Sequence, residues 1–501
     1  MDDVVSALLR RYGATSRTCE FLAKQPRMYI DGHFKLASNG ETIDSIEPST
    51  GGFIASIPAA SEQDVALAVA AARNAFDDGC WSTMKPNQRE KILHRLADLI
   101  EENAQTIAEI ETLDNGKAIT GCLEVDVATG ADLLHYMAGW PSKVEGATRD
   151  ISFPGNTFAY TLREPLGVVA AIVPWNWPFN MAMWKLAAPL AAGCTLVMKP
   201  AQQTSLSLLF FAELCEEAGI PPGVVNIVSG RGSSVGNYLA SHPDVNKVSF
   251  TGSTEVGKVV GRAGLENMAR LTLELGGKSP MIAFEDADLK ALAEATLDSV
   301  YFNAGQVCSA GSRLYVHRSV YAVAIDEIKK VIETIKLGPG LDTKTVMGPV
   351  ISASAQQSII DYINLGVSEG AELVVGGSAV NRKGYFVEPT LLGNCANDMK
   401  VVQEEIFGPV LCVIAFDDED EAVRLANDNI YGLAASVWTK DISRALRVVP
   451  QIKAGSVWVN GHDLVDNAMP FGGYKQSGFG RDLGPEQLAH FLETKSVVVN
   501  I

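Results

Sequence analysis

No two of the eight cysteines form a CxxC pair, and no histidine stands at zinc-ligand spacing from any of them. That argues against a disulfide framework and a structural metal, so no metal is expected and a reducing compartment fits. Basic charge is in deficit, with 41 Lys plus Arg against 59 Asp plus Glu and a net charge of −18. Nucleic-acid binding through phosphate neutralisation is therefore not expected as the main activity. No apolar run reaches the length of a bilayer-spanning helix, so no membrane partner is expected. The start, Met1-Asp2-Asp3, is not followed by a long apolar h-region, and Arg10-Arg11 follows a short amphipathic stretch instead of preceding one. Neither a secretory signal nor a transit peptide fits, and the expected location is cytoplasmic. What is present is ordinary: 501 residues, 47% hydrophobic and 20% charged, enough for two or three domains with sizeable cores.

Residues 1 to about 60 read as a loose leader with short strands, including a strand and turn at Met28-Tyr29-Ile30-Asp31-Gly32. Ser61 is placed to cap a helix on which Val65, Val69, Ala72 and Phe76 recur at helical spacing. Two further amphipathic helices follow, near 88–102 and 104–113, and form a layer that needs a sheet to cover. The turn signal Phe153-Pro154-Gly155-Asn156 and the alternation through 157–162 predict a half-exposed hairpin, either plain surface or an arm for another subunit. From Leu166 the chain alternates strand and helix with short links: strands at 167–173, 195–198, 224–228 and 248–250, with helices between. Such alternation predicts an α/β fold with a parallel sheet covered on both faces, and ligands at the carboxyl ends of its strands. A second α/β unit follows from residue 281, and the β-branched end, 494–501, could pair with the 157–162 hairpin.

Cys308 lies in the small, polar run Asn303-Ala304-Gly305-Gln306-Val307-Cys308-Ser309 after an apolar helical segment, where a thiolate would be a strong nucleophile. Seen alone, a free cysteine is more commonly inert packing. Glu274 ends an apolar strand just before Gly276-Gly277, where burial would raise its pKa toward that of a general base, unless it pairs with Lys278. Asn176, in Pro174-Trp175-Asn176-Trp177-Pro178, can offer an amide N–H to an oxyanion or simply shape a turn. Lys199 ends a strand and can bind a ribose hydroxyl or a phosphate, or be merely solvated. The loop Thr251-Gly252-Ser253-Thr254-Glu255-Val256-Gly257 opens a helix without being GxGxxG; Gly252 and Gly257 leave room for a backbone or phosphate, and Ser253 or Thr254 can equally serve as the helix cap. Glu405 and Phe407, in Glu404-Glu405-Ile406-Phe407-Gly408-Pro409, supply a carboxylate and an aromatic face.

The segments PWNWP, KPAQ, FTGSTEVG, LELGGKSP, NAGQVCSAGSR, EEIFGPV and PFGGYKQSGFGRDLG, in this order and spacing, resemble the aldehyde dehydrogenase superfamily over about 28–499. The resemblance implies a Rossmann-like cofactor domain (1–143 and 166–275), a second α/β catalytic domain (276–480), and a small β oligomerisation arm with a C-terminal strand (144–165 and 481–501). It implies Cys308 as nucleophile, Asn176 as oxyanion donor, Glu274 as base for thiol and water, and Lys185 supporting the thiol through water. Cofactor contacts fall to Ile172, Trp175, Lys199, Gln202, Gly252, Ser253, Glu405 and Phe407. Relatives that prefer NAD often carry glutamate where Gln202 stands, so the expected cofactor is NAD with NADP still admitted. Asp482 replaces a glutamate of many relatives, with little consequence expected.

The substrate tunnel maps to Trp177, Asn180, Met181, Trp184, Val307, Val465 and Phe471, an aromatic lining that suits a flat hydrophobic aldehyde better than a charged one. FLAKQPRMYIDG and HDLVDNAMPFGGYKQSG are similar to the branch acting on phenylacetaldehyde; betaine-type aldehydes, held by cation–π attraction, are the alternative. A coenzyme A-acylating relative or a non-catalytic homologue is the competing class, which Glu274 and the intact Cys308 and Asn176 argue against. A homodimer or homotetramer is also implied.

Overall fold

The computed structural model describes residues 1–501. Strand and helix alternate as the hydrophobic pattern requires, building two large sheets. The first carries five parallel strands in the spatial order Arg270–Glu274, Lys247–Thr251, Val168–Ile172, Thr195–Lys199 and Val225–Ile227. Met28–Ile30 and His33–Lys35 extend one edge antiparallel, and Gly478–Phe479 pairs antiparallel with the other. Along Val168–Ile172 the side chains alternate between two cores: Val169 and Ala171 join the large cluster under the helical layer, while Val168, Ala170 and Ile172 join a smaller one on the opposite face. Both faces are thus covered, as a parallel sheet demands. Strand order reverses between Val168–Ile172 and Lys247–Thr251, so a crevice opens at their carboxyl ends.

The second sheet has six parallel strands, Thr390–Gly393, Val410–Phe416, Arg313–His317, Pro280–Ala283, Ala434–Trp438 and Ser456–Val459, with Glu372–Val375 antiparallel at its edge. Three of these, at 390–393, 434–438 and 456–459, were not anticipated from the sequence. A three-stranded antiparallel sheet stands apart: Thr148–Arg149, Thr157–Pro165 and Leu492–Asn500. The chain end runs beside residues 157–165 over nine paired positions, more extensively than the hairpin's own first strand does.

The sequence places a loose leader at residues 1–60; the structure corrects this. Asp3–Tyr12 and Ser16–Ala23 are helices, started by the side-chain caps of Asp2 and Thr15. They bury Val5, Leu9, Phe21 and Leu22 in the main core, and Glu109 of the helix Ala104–Asn115 receives the Thr15 N–H and hydroxyl at 2.9 Å each. Ser61 caps Glu62–Asp77 with a full capping box, as expected. Because the first helix is docked, Leu9→Ala is expected to destabilise the native state by about 2–5 kcal/mol. A thermal or denaturant melt of the variant checks this; an unchanged transition would mean that the helix does not belong to the core.

Candidate active site

The loop Val173–Trp177 leaves the first sheet at the reversal point, and Pro178 starts the fully buried helix Pro178–Ala192 with a preset φ. Facing it is the cysteine loop. The segment ahead of that loop is helical over Leu289–Thr296 and continues through a wide turn, Leu297–Tyr301. Asn303, Ala304 and Gly305 then adopt three consecutive left-handed conformations, φ 48°, 53° and 73°. Backbone in this region is costly for Asn and Ala and is held only by over-determined surroundings. At Gly305 even a Cβ is excluded, since it would lie 2.0 Å from the Gly408 carbonyl oxygen.

Amides tie the two loops together. Asn176 Nδ2 donates to the Gln306 carbonyl at 2.9 Å, and Asn303 Nδ2 donates to the Asn176 carbonyl at 2.9 Å. Gln306 is itself fixed, donating to the Asn303 carbonyl and accepting from Ile351 N–H, each at 2.9 Å. One N–H of the Asn176 amide is spent on this tie, which leaves its second for a ligand.

Cys308 stands where two cavities meet. One, of about 590 Å³, runs over the carboxyl ends of the first sheet; the other, of about 530 Å³, lies between the helix Pro178–Ala192 and the 462–471 loop. Trp177, Met181, Thr251, Glu274, Leu275 and Cys308 line both. All eight residues assigned to the cofactor (Ile172, Trp175, Lys199, Gln202, Gly252, Ser253, Glu405 and Phe407) line the first cavity, together with Asn176. All seven tunnel residues (Trp177, Asn180, Met181, Trp184, Val307, Val465 and Phe471) line the second.

Burial governs the electrostatics. Glu274 is 4% exposed, neither carboxylate oxygen has a hydrogen-bond partner, and burial followed by the charge of Asp482 holds its pKa well above the usual carboxylate range. It does not pair with Lys278, whose buried ammonium also has no hydrogen-bond partner. The Cys308 thiol is half-buried and opens on both cavities; desolvation, then Asp463, Glu405 and Glu274, push it up. Both shifts disfavour the charged forms, so Glu274 serves as a base only when ionised. Burial brings Glu405 to about 7, although its Oε1 accepts from Gly277 N–H at 3.0 Å. Gly276 and Gly277 are small because a Cβ would lie 2.2 Å from Glu405 Oε2 at the first and 2.4 Å from the Cys308 carbonyl oxygen at the second. Lys199 is buried, not solvated, donates to the Pro200 carbonyl at 2.9 Å, and is lowered to about 8 by desolvation.

Lys185 lines neither cavity and forms a buried ion pair with Asp482, which also accepts from Gln487 Nε2 at 3.0 Å. Lys185 reaches the site as a charge behind Glu274, opposing the effect of Asp482. Asp482, expected to matter little, is thus the strongest charge acting on Glu274. Gly257 also differs: a Cβ there would lie 2.3 Å from Leu275, so its smallness serves the packing of the helix Thr254–Leu265. Ser253 is that helix's cap and lines the cavity as well.

Sequence reasoning passed over a set of carboxylates: Asp132, Asp298, Asp463 and Asp466 line the second cavity, and no Lys or Arg does. Asp463 and Asp466 lie within HDLVDN, a segment used for its resemblance alone. His462 donates from Nε2 to the Ser309 carbonyl at 2.9 Å, which leaves Nδ1 to accept from Ser436 Oγ at 3.0 Å.

The fold and site define a two-lobed α/β protein arranged for covalent chemistry at a cysteine, beside a buried carboxyl group where two cavities join. The model of the aldehyde dehydrogenase family matches residues 35–497, and the chain belongs to that family. It is 44% identical to a phenylacetaldehyde dehydrogenase of Pseudomonas fluorescens over 479 residues, covering 94% of this chain and 95% of that one. An NAD+ complex of an aldehyde dehydrogenase from Bacillus cereus superposes with a TM-score of 0.95 at 45% identity, covering 97% and 99% of the two chains. A betaine aldehyde dehydrogenase from Staphylococcus aureus, also an NAD+ complex, gives 0.94 at 41% identity and 97% coverage of both.

The raised carboxyl of Glu274 makes a prediction about stability. Below the ordinary carboxylate range it is protonated in folded and unfolded chains alike. Above that range the unfolded chain releases the proton first, so native stability falls as pH rises toward the folded value. Glu274→Gln lacks this penalty, and its melting temperature should gain on the native protein's between pH 4 and pH 8. A difference independent of pH would mean that the carboxyl is not shifted.

Proposed function

We propose that this aldehyde dehydrogenase oxidises a hydrophobic aldehyde such as phenylacetaldehyde to its carboxylic acid, with NAD and also NADP accepted. The observation that carries the reading is that Cys308 and Glu274 face both cavities, so a nucleophile and a base can serve ligands entering from either side. The first cavity suits a dinucleotide. Lys199 is a buried cation with no carboxylate partner, Glu405 is a half-buried carboxyl group for ribose hydroxyls, and Trp175 meets Phe407 edge-on at 5.2 Å. The helix Thr254–Leu265 starts at its wall, where unpaired N–H groups favour a pyrophosphate. Gln202 is neutral and carries no charge to repel a 2′-phosphate.

In this reading Cys308 Sγ attacks the carbonyl carbon while its proton passes to the ionised form of Glu274. The free N–H of Asn176 and the backbone N–H of Cys308 hold the oxyanion of the thiohemiacetal. Bound in the first cavity, the dinucleotide supplies the hydride acceptor. Having released the thiol's proton to solvent, Glu274 takes a proton from the water that adds to the thioester carbon; the C–S bond breaks, that proton passes to the departing sulfur, and the acid leaves with the thiol restored. A base so placed is of no use to a coenzyme A-acylating enzyme.

The walls favour an aromatic aldehyde: Trp177 stacks on Phe302 at 5.5 Å and 15°, and Trp184 meets Phe471 edge-on at 5.3 Å. A second reading, betaine-type aldehydes, draws on the four Asp carboxylates in the same cavity and its lack of Lys and Arg. The exposed Val498, Val499 and Phe158 on the three-stranded sheet support a homodimer or homotetramer.

Absorbance of NAD(P)H with phenylacetaldehyde and betaine aldehyde in parallel tests the substrate. About tenfold or greater kcat/KM on the aromatic aldehyde is expected, and the reverse preference hands the site to the second reading. Cys308→Ala should abolish turnover while cofactor still quenches tryptophan fluorescence; persistent turnover would remove Cys308 from the chemistry. Light scattering at micromolar concentration should show a dimer or tetramer, and a monomer would contradict the arm assignment.

A further inference from the structure

Behind the wall of the second cavity lies a charge cluster that the chemistry above does not use. The helix Ala104–Asn115 ends at Gly116, which is left-handed at φ 89° and turns the chain so that Lys117 folds back into the interior. Its Nζ lies 2.6 Å from Asp126 Oδ1 and 3.8 Å from Glu111 Oε1, and all three side chains are 1% exposed or less. Burial alone lowers an ammonium's pKa, but Asp126, Cys122 and Glu111 outweigh it, so Lys117 stays charged. The same Nζ sits 4.0 Å from the centroid of the Trp177 ring.

Neighbouring groups grip the same loop. Glu111 Oε2 accepts from Phe179 N–H at 3.0 Å, and Asn115 Nδ2 donates to the Trp175 carbonyl at 2.6 Å. Asp126 lies in the wide turn Cys122–Val127, whose Val125 lines the cavity, as does Thr129 just beyond it. Asn180 Nδ2 donates to Thr129 Oγ1 at 2.5 Å. A buried ion pair is a poor source of stability compared with apolar packing, so its presence here asks for another purpose. What it touches is one wall of the cavity.

We propose that Lys117 is a positioning residue: its ammonium, anchored by Asp126 and Glu111, fixes the plane of the Trp177 indole and so sets the fit of bulky aldehydes. The proposal rests on the second cavity being the aldehyde's. The ammonium touches neither substrate nor cofactor; it acts through a desolvated cation–π contact on a ring that lines the cavity. Phe302 stacks on the same indole at 5.5 Å.

The test uses the full-length protein and two readouts. In 19F NMR of 5-fluorotryptophan protein, with Trp177 assigned by Trp177→Phe, the native resonance should be single and sharp. Lys117→Met should broaden or split it, and Lys117→Arg, which keeps a cation, should leave it sharp. In kinetics, Lys117→Met should raise KM for phenylacetaldehyde about tenfold with kcat within about twofold, while KM for acetaldehyde moves less than about twofold. An unchanged Trp177 resonance, or equal losses on both aldehydes, would overturn the proposal. If Lys117→Met does not fold because two acids are left unpaired, Glu111→Gln/Lys117→Met/Asp126→Asn removes those charges and is read in the same way. Native protein inactive on every aldehyde would defeat the functional reading, whereas the resonance still decides what Lys117 does.

Discussion

The hydrogen-bonded tie between Asn176 and the segment Asn303 to Gln306 is the constraint on which the site depends. It crosses from the loop at the end of the first sheet to the loop ahead of Cys308, so each lobe sets the other's geometry. Three successive left-handed residues would not persist in a free loop. They persist because both ends are held, by amides on one side and by the Gly408 backbone pressed against Gly305 on the other. The thiol is thereby held in place before any substrate arrives, which is what orientation in catalysis requires.

The same closeness produces the charge state. Glu274 is buried with no protein donor on either oxygen, and the two largest charge effects on it, from Asp482 and Lys185, oppose one another. Desolvation disfavours the charged form of each group, so the carboxyl must ionise before it can take the thiol's proton. Neither group is reactive alone. Their reactivity comes from sharing one small volume, and two glycines after Glu274 let the backbone pass close enough for that to happen.

Much of this was legible in the chain. The apolar stretches at 167–173, 195–198, 224–228 and 248–250 announced a parallel sheet, and the residues expected at the cofactor line one cavity. Local pattern failed where structure depends on distant partners. The helices at 3–12 and 16–23 are short, and their worth lies in the core they join and in Glu109, more than ninety residues away. Lys185 showed a helix position but not Asp482, 297 residues on, so its ion pair could not be read. The Asp residues of the second cavity carry no periodic signature, since a carboxylate in a loop looks like any solvated charge until the loop is folded over something. At Gly257, read as leaving room for a backbone or a phosphate, it is the approach of the helix to Leu275 that leaves no space for a Cβ.

The strand Gly478–Phe479 bears on how the molecule is made. It closes the edge of a sheet whose neighbouring strand ended at Glu274, about 200 residues earlier. At the pace of synthesis, about 5–20 residues per second, the first lobe waits some 10–40 s on the ribosome with Arg270–Glu274 unpaired on one side. During that interval Glu274 has no roof, because Gly472, Arg481 and Asp482 have not yet emerged. The pocket that sets its chemistry is therefore complete only once residue 482 has been made, and a nascent chain carries its nucleophile long before it can use it.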